Sequence, residues 1–208
     1  MISAAEARER LKLGNRQFVD NIQNSDTLSR HARPAELVLR QSPFAIVLGC
    51  SDARVPAEIV FNQGLGDLFV IRVAGNIVAP SQIGSIEFAA GKFGTPLVVV
   101  LAHTQCGAIT ATLDELQRPT ENQSRNLRSI VDRVRPSVAK LLDSELAEDR
   151  HALIHAAVRA NVARSVKRLS HGSDILEQLI ADRRLEIVGA EYAVETGEVR
   201  FLEDVESP

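Results

Sequence analysis

Cysteine, tryptophan and long hydrophobic segments are the features that this sequence has little of. Its 208 residues contain two cysteines, Cys50 and Cys106, and no tryptophan. Two cysteines are too few to form a disulfide framework, and a reducing compartment would keep both as thiols. No apolar run approaches the roughly 18 residues of a membrane-spanning helix, and the segment 97–102 has only the length of a buried strand. Charged side chains also interrupt positions 1–10, where an export signal would need an apolar core, so we expect a cytoplasmic protein.

Charge of one sign is not in excess either. The chain has 24 lysine and arginine residues against 27 aspartate and glutamate residues, for a formal net charge of −3. Proteins that bind nucleic acids or membrane surfaces usually carry basic patches or tracts. We therefore expect neither nucleic acid nor a membrane among the partners of this chain.

What the sequence does contain is an alternation of apolar strand-like runs with amphipathic segments of helical period. This pattern predicts an α/β fold, in which helices flank a central, mostly parallel four-stranded sheet. An antiparallel edge strand after the turn signal Thr196-Gly197 and an N-terminal helical arm complete the prediction. The predicted strands cover 44–49, 67–73, 97–102, 185–189 and 198–202, and the main predicted helices cover 3–22, 56–62, 81–93, 148–170 and 174–183, with a further helix that ends near 117.

Two helix signals make specific local predictions. Ser81 is a suitable N-cap for the helix that Gly94 would end. Pro136 should interrupt or restart a helix that follows residue 127, because proline lacks the N–H group that a helix interior requires.

Three side chains with affinity for metals lie near the ends of predicted strands. Cys50 follows the first strand directly, His103 follows the third, and Cys106 comes three residues later. Open parallel sheets bind ligands beyond the carboxyl ends of their strands, so these side chains should converge. Two thiolates and one imidazole form a recognised Zn²⁺ set whose fourth tetrahedral position stays open, as in catalytic sites. Placement of both cysteines in the core by chance is the competing interpretation.

Asp52 and Arg54 follow Cys50 closely and could form a second part of the same site. A guanidinium group can hold a carboxylate through two hydrogen bonds and keep it ionised. Held in this way, Asp52 could accept a hydrogen bond from water on the metal, and if released it could become a fourth ligand. An ordinary capping or surface ion pair is the alternative interpretation.

Four segments resemble the sequence motifs of β-carbonic anhydrases. The segments CSDARVP at 50–56 and HTQCG at 103–107 look like the two signature motifs of that family. The segments FVIRVAGN at 69–76 and GSIEFA at 84–89 resemble the stretches between them, in the family's order and spacing. The resemblance covers most of residues 41–117.

The resemblance implies a zinc enzyme, a lyase that reversibly hydrates carbon dioxide to bicarbonate and a proton through hydroxide formed on zinc. We expect one domain over 1–208, made of an N-terminal helical arm at 1–40, a zinc-site core at 41–117, and C-terminal helices and last strands at 118–208. The resemblance also implies a homodimer or a dimer-based tetramer, with some pocket residues reaching in from a partner subunit. The implied site consists of the zinc ligands Cys50, His103 and Cys106, the catalytic dyad Asp52 and Arg54, a hydrogen-bond donor to substrate at Gln41, pocket residues Phe69, Ala74 and Phe88, and backbone amides near Gly107.

Some family members are described as switching to a closed state in which the aspartate binds zinc and bicarbonate occupies a nearby pocket. Arg72 and Tyr192 match two of the three residues of that pocket, but Val47 stands at the tryptophan position. The match of Gln41 fits the constitutively open subclass, so we expect the open form.

Other functions remain compatible with the sequence. The same site could hydrolyse carbon disulfide or carbonyl sulfide, and a catalytically silent zinc protein or a dithiol redox protein would also use these cysteines, although no Cys-x-x-Cys motif is present. His151 and His155 have the spacing of a two-histidine metal site, but no third ligand is evident and a solvated helix face is the simpler interpretation.

Overall fold

The computed structural model describes residues 2–22, 41–120 and 124–206. Four parallel strands and one antiparallel edge strand form a single sheet, which confirms the predicted fold class. No helix among these residues is long and apolar enough to cross a lipid bilayer. The helices are α1 (Ala4–Ile22), α2 (Ala57–Val60), α3 (Pro80–Phe93), α4 (Gly107–Gln117), α5 (Arg125–Val138), α6 (Arg150–Ser170) and α7 (Asp174–Ala181), and the strands are β1 (Ala45–Gly49), β2 (Leu68–Arg72), β3 (Leu97–His103), β4 (Glu186–Tyr192) and β5 (Val199–Glu206).

The sheet has the strand order β2-β1-β3-β4-β5. Strands β1 and β3 occupy its centre, and every one of their residues is buried. Strands that are covered on both faces read as continuous apolar runs, which explains why these two segments were recognisable in the sequence. Strand β5 pairs antiparallel with β4 at one edge, as predicted.

Helices cover both faces of the sheet and create two apolar cores. One core contains buried side chains of α3 to α7, among them Ile86, Leu153 and Leu176. The other core contains Ala7 and Leu11 of α1 together with buried residues of α2. The carboxyl ends of the strands lie between these layers, so the fold can place polar side chains there without exposing the cores.

The helix of the predicted N-terminal arm packs on its own sheet. Asn15, which is buried, donates hydrogen bonds from Nδ2 to the carbonyls of Val60 at 3.0 Å and Gly197 at 2.9 Å. Its Oδ1 accepts a 2.8 Å hydrogen bond from the amide of Val199. These bonds connect α1 to α2 and to the start of β5. The remainder of the predicted arm, at 23–40, lies outside the described residues.

Two of the local helix predictions were wrong. Helix α3 begins at Pro80 with Ala79 as its N-cap, because proline supplies the helical φ angle of a first residue and leaves Ser81 inside the first turn.

Helix α5 continues through Pro136 to Val138, since proline near the last turn removes only a terminal hydrogen bond while Val134 and Val138 remain buried. The predicted end of α3 at Gly94 is confirmed, with φ at 66°.

Glycine at position 14 allows α1 to approach the chain next to α2. A Cβ atom at Gly14 would lie 1.9 Å from the carbonyl oxygen of Phe61, which is a backbone atom that cannot move without displacing the helix end. We expect Gly14→Ala to destabilise the protein by about 1–3 kcal/mol, despite the better helix propensity of alanine. Urea unfolding at equilibrium measures this change.

Gly91 in α3 provides the matched control. Apart from the neighbouring backbone of α3 itself, none of the described residues has an atom within 4 Å of a Cβ atom built at this position. Gly91→Ala should therefore be neutral or stabilising by up to about 1 kcal/mol. Equal unfolding midpoints for the two variants would show that the contact of Gly14 with Phe61 does not constrain the packing of α1.

Candidate metal centre

Two neighbouring strands bring the predicted metal ligands to one edge of the sheet. Strands β1 and β3 pair in parallel with Gly49 opposite Leu101, so Cys50 and His103 follow nearly adjacent positions. Cys106 reaches the same place through the short turn after β3. One ligand atom from each of the three residues lies within 4.8 Å of the others, and the two sulfur atoms are 4.0 Å apart. We call this group the Cys-His-Cys site.

The imidazole of His103 is oriented for a metal ion. Its Nδ1 atom lies 2.8 Å from the carbonyl oxygen of Thr104, which can only accept a hydrogen bond, so Nδ1 carries the proton. The Nε2 atom is buried and has no hydrogen-bond partner among the residues that the structure describes. A buried nitrogen without a partner, next to two thiols, has the donor chemistry of a zinc site. The residues present therefore fit Zn²⁺.

The two thiols differ in their affinity for a proton. The hydrogen bond from Cys106 is the main cause that lowers the pKa of Cys50, and the amide of Gly75, 3.4 Å from Sγ, acts in the same direction. The hydrogen bond to Cys50, together with burial, raises the pKa of Cys106. A divalent metal ion would have to displace the proton from the Cys106 thiol when it binds. The affinity of the site for metal should therefore fall as the pH is lowered.

Asp52 and Arg54 form a two-pronged ion pair beside the Cys-His-Cys site. Arg54 donates from Nε to Oδ1 at 2.9 Å and from Nη2 to Oδ2 at 2.8 Å, and its amide N–H reaches Oδ1 at 3.0 Å. The side-chain hydrogen bond from Arg54 holds the pKa of Asp52 well below its usual range. Oδ2 also lies 3.8 Å from Nε2 of His103. The carboxylate is thus ionised and adjacent to the metal-facing nitrogen.

Arg72 fixes the turn that carries Cys50 and Asp52. From the end of β2, its Nε donates to the carbonyl of Cys50 at 3.0 Å, and its Nη2 donates to the carbonyl of Asp52. The sequence had suggested only that Arg72 matches a bicarbonate pocket. In this structure two of its donor groups bind the backbone of the turn that carries Cys50 and Asp52.

Two of the predicted pocket residues lie near the Cys-His-Cys site. Ala74 precedes Gly75, whose amide contacts Cys50. Gly107 is the first residue of α4, directly after Cys106.

Gln41, Phe69 and Phe88 are not brought to the Cys-His-Cys site within one chain. Gln41 is exposed and precedes β1, whereas Cys50 follows it, so the strand separates them by about 16 Å at a rise of roughly 3.3 Å per residue. It lines a cleft of about 820 Å³ together with Phe93. The rings of Phe69 and Phe88 pack with Phe93, at centroid distances of 6.3 and 5.6 Å.

His151 and His155 do not form a second metal site. Nε2 of His155 lies 3.6 Å from a carboxylate oxygen of Glu191, and both histidines are exposed. Among the described residues, Cys50, His103 and Cys106 are the one group of three potential ligands with suitable spacing.

Sequence reasoning missed Glu195. Its carboxylate accepts hydrogen bonds from Thr104 and Gln105, the two residues between His103 and Cys106. No local motif marks this residue, because its partners are about ninety positions away in the sequence.

Comparison with known proteins identifies the family. A family model described as carbonic anhydrase matches residues 45–199. The chain is 38% identical over 192 residues to carbonic anhydrase 2 of Mycobacterium tuberculosis, covering 90% of this chain and 87% of that protein. It is 40% identical over 193 residues to a carbonic anhydrase of Mycolicibacterium smegmatis, covering 92% and 89% of the two chains.

Solved structures agree with the sequence comparison. The β-carbonic anhydrase CcaA superimposes with a TM-score of 0.73 at 27% identity, covering 82% of this chain and 84% of that chain. One of two tetrameric β-carbonic anhydrases from the filamentous ascomycete Sordaria macrospora gives a TM-score of 0.70 at 25% identity, with coverage of 81% and 85%. Together with the Cys-His-Cys site, these matches place the chain in the β-carbonic anhydrase family, whose members are lyases that use zinc to hydrate carbon dioxide.

Proposed function

We propose that this chain hydrates carbon dioxide reversibly to bicarbonate and a proton with Zn²⁺ held by Cys50, His103 and Cys106. The observation that supports this site most directly is the buried Nε2 atom of His103, which faces two thiols and has no hydrogen-bond partner among the described residues. Zinc, when bound, supplies a Lewis acid that lowers the pKa of a water molecule and makes it a nucleophile. Cys50, His103 and Cys106 would supply three ligands to the ion, and such a set would leave a coordination position for that water.

Asp52 orients the attacking water in this proposal. An ionised carboxylate can only accept hydrogen bonds, so Asp52 selects a water with a hydrogen directed at Oδ2 and can take up the proton. Arg54 engages both carboxylate oxygens, which keeps Asp52 ionised and fixes its orientation. In this proposal the amide N–H of Gly107, the first residue of α4 and the neighbour of Cys106, stabilises the negative charge of the product.

The resting site is the open form in our proposal, with Asp52 paired to Arg54 rather than bound to zinc. Three hydrogen bonds from Arg54 favour this arrangement. Arg72 directs two of its donor groups at backbone carbonyls, and Val47 offers no polar group in place of tryptophan. Both features argue against a bicarbonate pocket that would compete for these residues.

A second subunit completes the substrate pocket in this proposal. Gln41 lies beyond the opposite ends of the strands from the Cys-His-Cys site of its own chain, and Phe88 is 53% exposed. These positions suit contact with the site of a neighbouring copy, in a homodimer or a dimer-based tetramer. One structural neighbour is described as tetrameric, which supports assembly beyond the monomer.

A reducing compartment such as the cytoplasm is part of the same proposal. Both cysteines are free thiols. Only their reduced forms can bind zinc, and reducing compartments maintain that state.

The decisive experiment combines metal analysis with stopped-flow hydration of carbon dioxide on one sample. We expect one zinc per chain and turnover that rises toward alkaline pH, because two thiolates cancel the charge of Zn²⁺ and water beside a neutral centre loses its proton less readily. Asp52 does not cause this rise, since a carboxylate whose pKa is lowered stays ionised throughout the range.

A zinc-free enzyme, or a rate independent of pH from mildly acidic to alkaline conditions, would contradict this expectation. Parallel assays with carbon disulfide and carbonyl sulfide distinguish the related hydrolase. Faster turnover of either sulfur compound than of carbon dioxide would reject hydration as the main reaction.

Replacement of Asp52 tests its role in orienting water. Asp52→Asn keeps the side-chain volume but loses the charge and one acceptor, so we expect kcat to fall about 10²- to 10⁴-fold while zinc content is unchanged. Asp114→Asn is the matched control, because Asp114 forms an exposed ion pair with Arg150 on α6. Normal hydration by the Asp52→Asn variant would show that Asp52 is not needed.

Mixed assemblies test whether Gln41 acts across subunits. Asp52→Asn and Gln41→Ala should each be impaired alone, but a mixed dimer would contain one site with both native residues. Random exchange of subunits should restore about one quarter of wild-type activity, because half of the dimers are mixed and each has one intact site. Hydration rates before and after exchange measure this gain, and its absence would indicate that Gln41 acts in its own chain or not at all.

A further inference from the structure

Two residues connect the ligands His103 and Cys106, and one of them has an unusual backbone conformation. Gln105 has φ at 54°, in the left-handed region that residues other than glycine rarely adopt. This conformation turns the chain sharply, so that Cys106 points back toward His103. Such a turn persists only where surrounding contacts hold it.

Glu195 provides contacts of this kind. One carboxylate oxygen, Oε2, accepts a 2.7 Å hydrogen bond from the hydroxyl of Thr104, and the other, Oε1, accepts a 2.7 Å bond from Nε2 of Gln105. Glu195 lies in the turn between β4 and β5, so its backbone belongs to a different part of the fold from the turn that it contacts. The side chain of Glu195 therefore binds both residues that connect His103 to Cys106.

Backbone groups at the end of β4 and in the β4–β5 turn also contact Thr104. Its amide donates to the carbonyl of Tyr192 at 2.9 Å, and its hydroxyl accepts from the amide of Val194 at 3.0 Å. Its own carbonyl accepts the Nδ1 proton of His103 at 2.8 Å. This last bond couples the orientation of the His103 ring to the position of the Thr104 carbonyl.

We propose that Glu195 is a positioning residue that holds Thr104 and Gln105 so that His103 and Cys106 face the same metal ion. This inference rests on the zinc function proposed above. Without the carboxylate, Gln105 can leave the left-handed region and Cys106 can turn away from His103. Zinc would then be bound by fewer well-aligned ligands and would dissociate faster.

Four substitutions distinguish this role from a general effect of changing the surface of the turn. Glu195→Gln replaces one of the two carboxylate oxygens with an NH2 group, which cannot accept, so the donor of Thr104 or that of Gln105 loses its acceptor at that position. Thr104→Val removes the hydroxyl but keeps the shape, whereas Thr104→Ser restores the hydroxyl. Glu198→Gln is the matched control, because Glu198 is exposed in the same turn and its carboxylate has no partner among the described residues.

The measurement is the rate at which zinc leaves the loaded enzyme when a chelating dye is added in excess. We expect Glu195→Gln and Thr104→Val to release zinc about 10- to 100-fold faster than wild type, and Thr104→Ser and Glu198→Gln to release it at the wild-type rate. The double variant Glu195→Gln with Thr104→Val should release zinc more slowly than the product of the two single effects predicts, because the two changes share the contact between Thr104 and Glu195.

Urea unfolding of the zinc-free proteins provides the second measurement. Equal midpoints for zinc-free wild type and Glu195→Gln are expected if Glu195 acts on the metal ligands. Wild-type zinc release from Glu195→Gln would overturn the proposal, and so would a loss of stability in the zinc-free variant as large as that in the loaded one. A wild-type chain that binds no zinc would instead refute the metal site itself.

Discussion

The parallel pairing of β1 with β3 is the constraint on which the metal centre depends. Both strands end at the same edge of the sheet, and only there can the side chains of Cys50 and His103 share one ion. The two apolar cores hold these strands from opposite faces. Substitutions deep in either core would therefore act on the metal site indirectly, by shifting one ligand-bearing strand relative to the other.

Electrostatics around the centre follow from this placement. Arg54 and Arg72 converge on the turn after β1, where one holds a carboxylate and the other holds backbone carbonyls. The thiols lie behind them in the buried layer. The hydrogen bond from Arg54 is the main reason why the Asp52 carboxylate stays ionised beside the buried thiols.

The features predictable from the sequence were those with local causes. Strands β1 and β3 are buried on both faces and so appear as continuous apolar runs. Side chains that directly follow such runs reach the edge of the sheet, which made Cys50 and His103 recognisable as ligands. Strand register was not predictable in this way, because polarity does not alternate along a strand covered on both faces.

Features that depend on distant contacts could not be predicted. Glu195 meets Thr104 only because β4 pairs with β3 and the following turn folds back over the edge, and no local pattern encodes that contact. Helix α5 passes through Pro136 for a comparable reason, since burial of Val134 and Val138 outweighs a local helix-breaking signal. In both cases tertiary packing determined the outcome.

The β4–β5 turn also has a consequence for the folding order. Its bond to Thr104 joins residues 90 positions apart, and Asn15 of α1 donates to Gly197 of the same turn from 182 positions away. Closing loops of this length is entropically unfavourable and occurs after local structure has formed. The turn between His103 and Cys106 should therefore reach its final conformation late in folding, after the first and last thirds of the chain have come into contact.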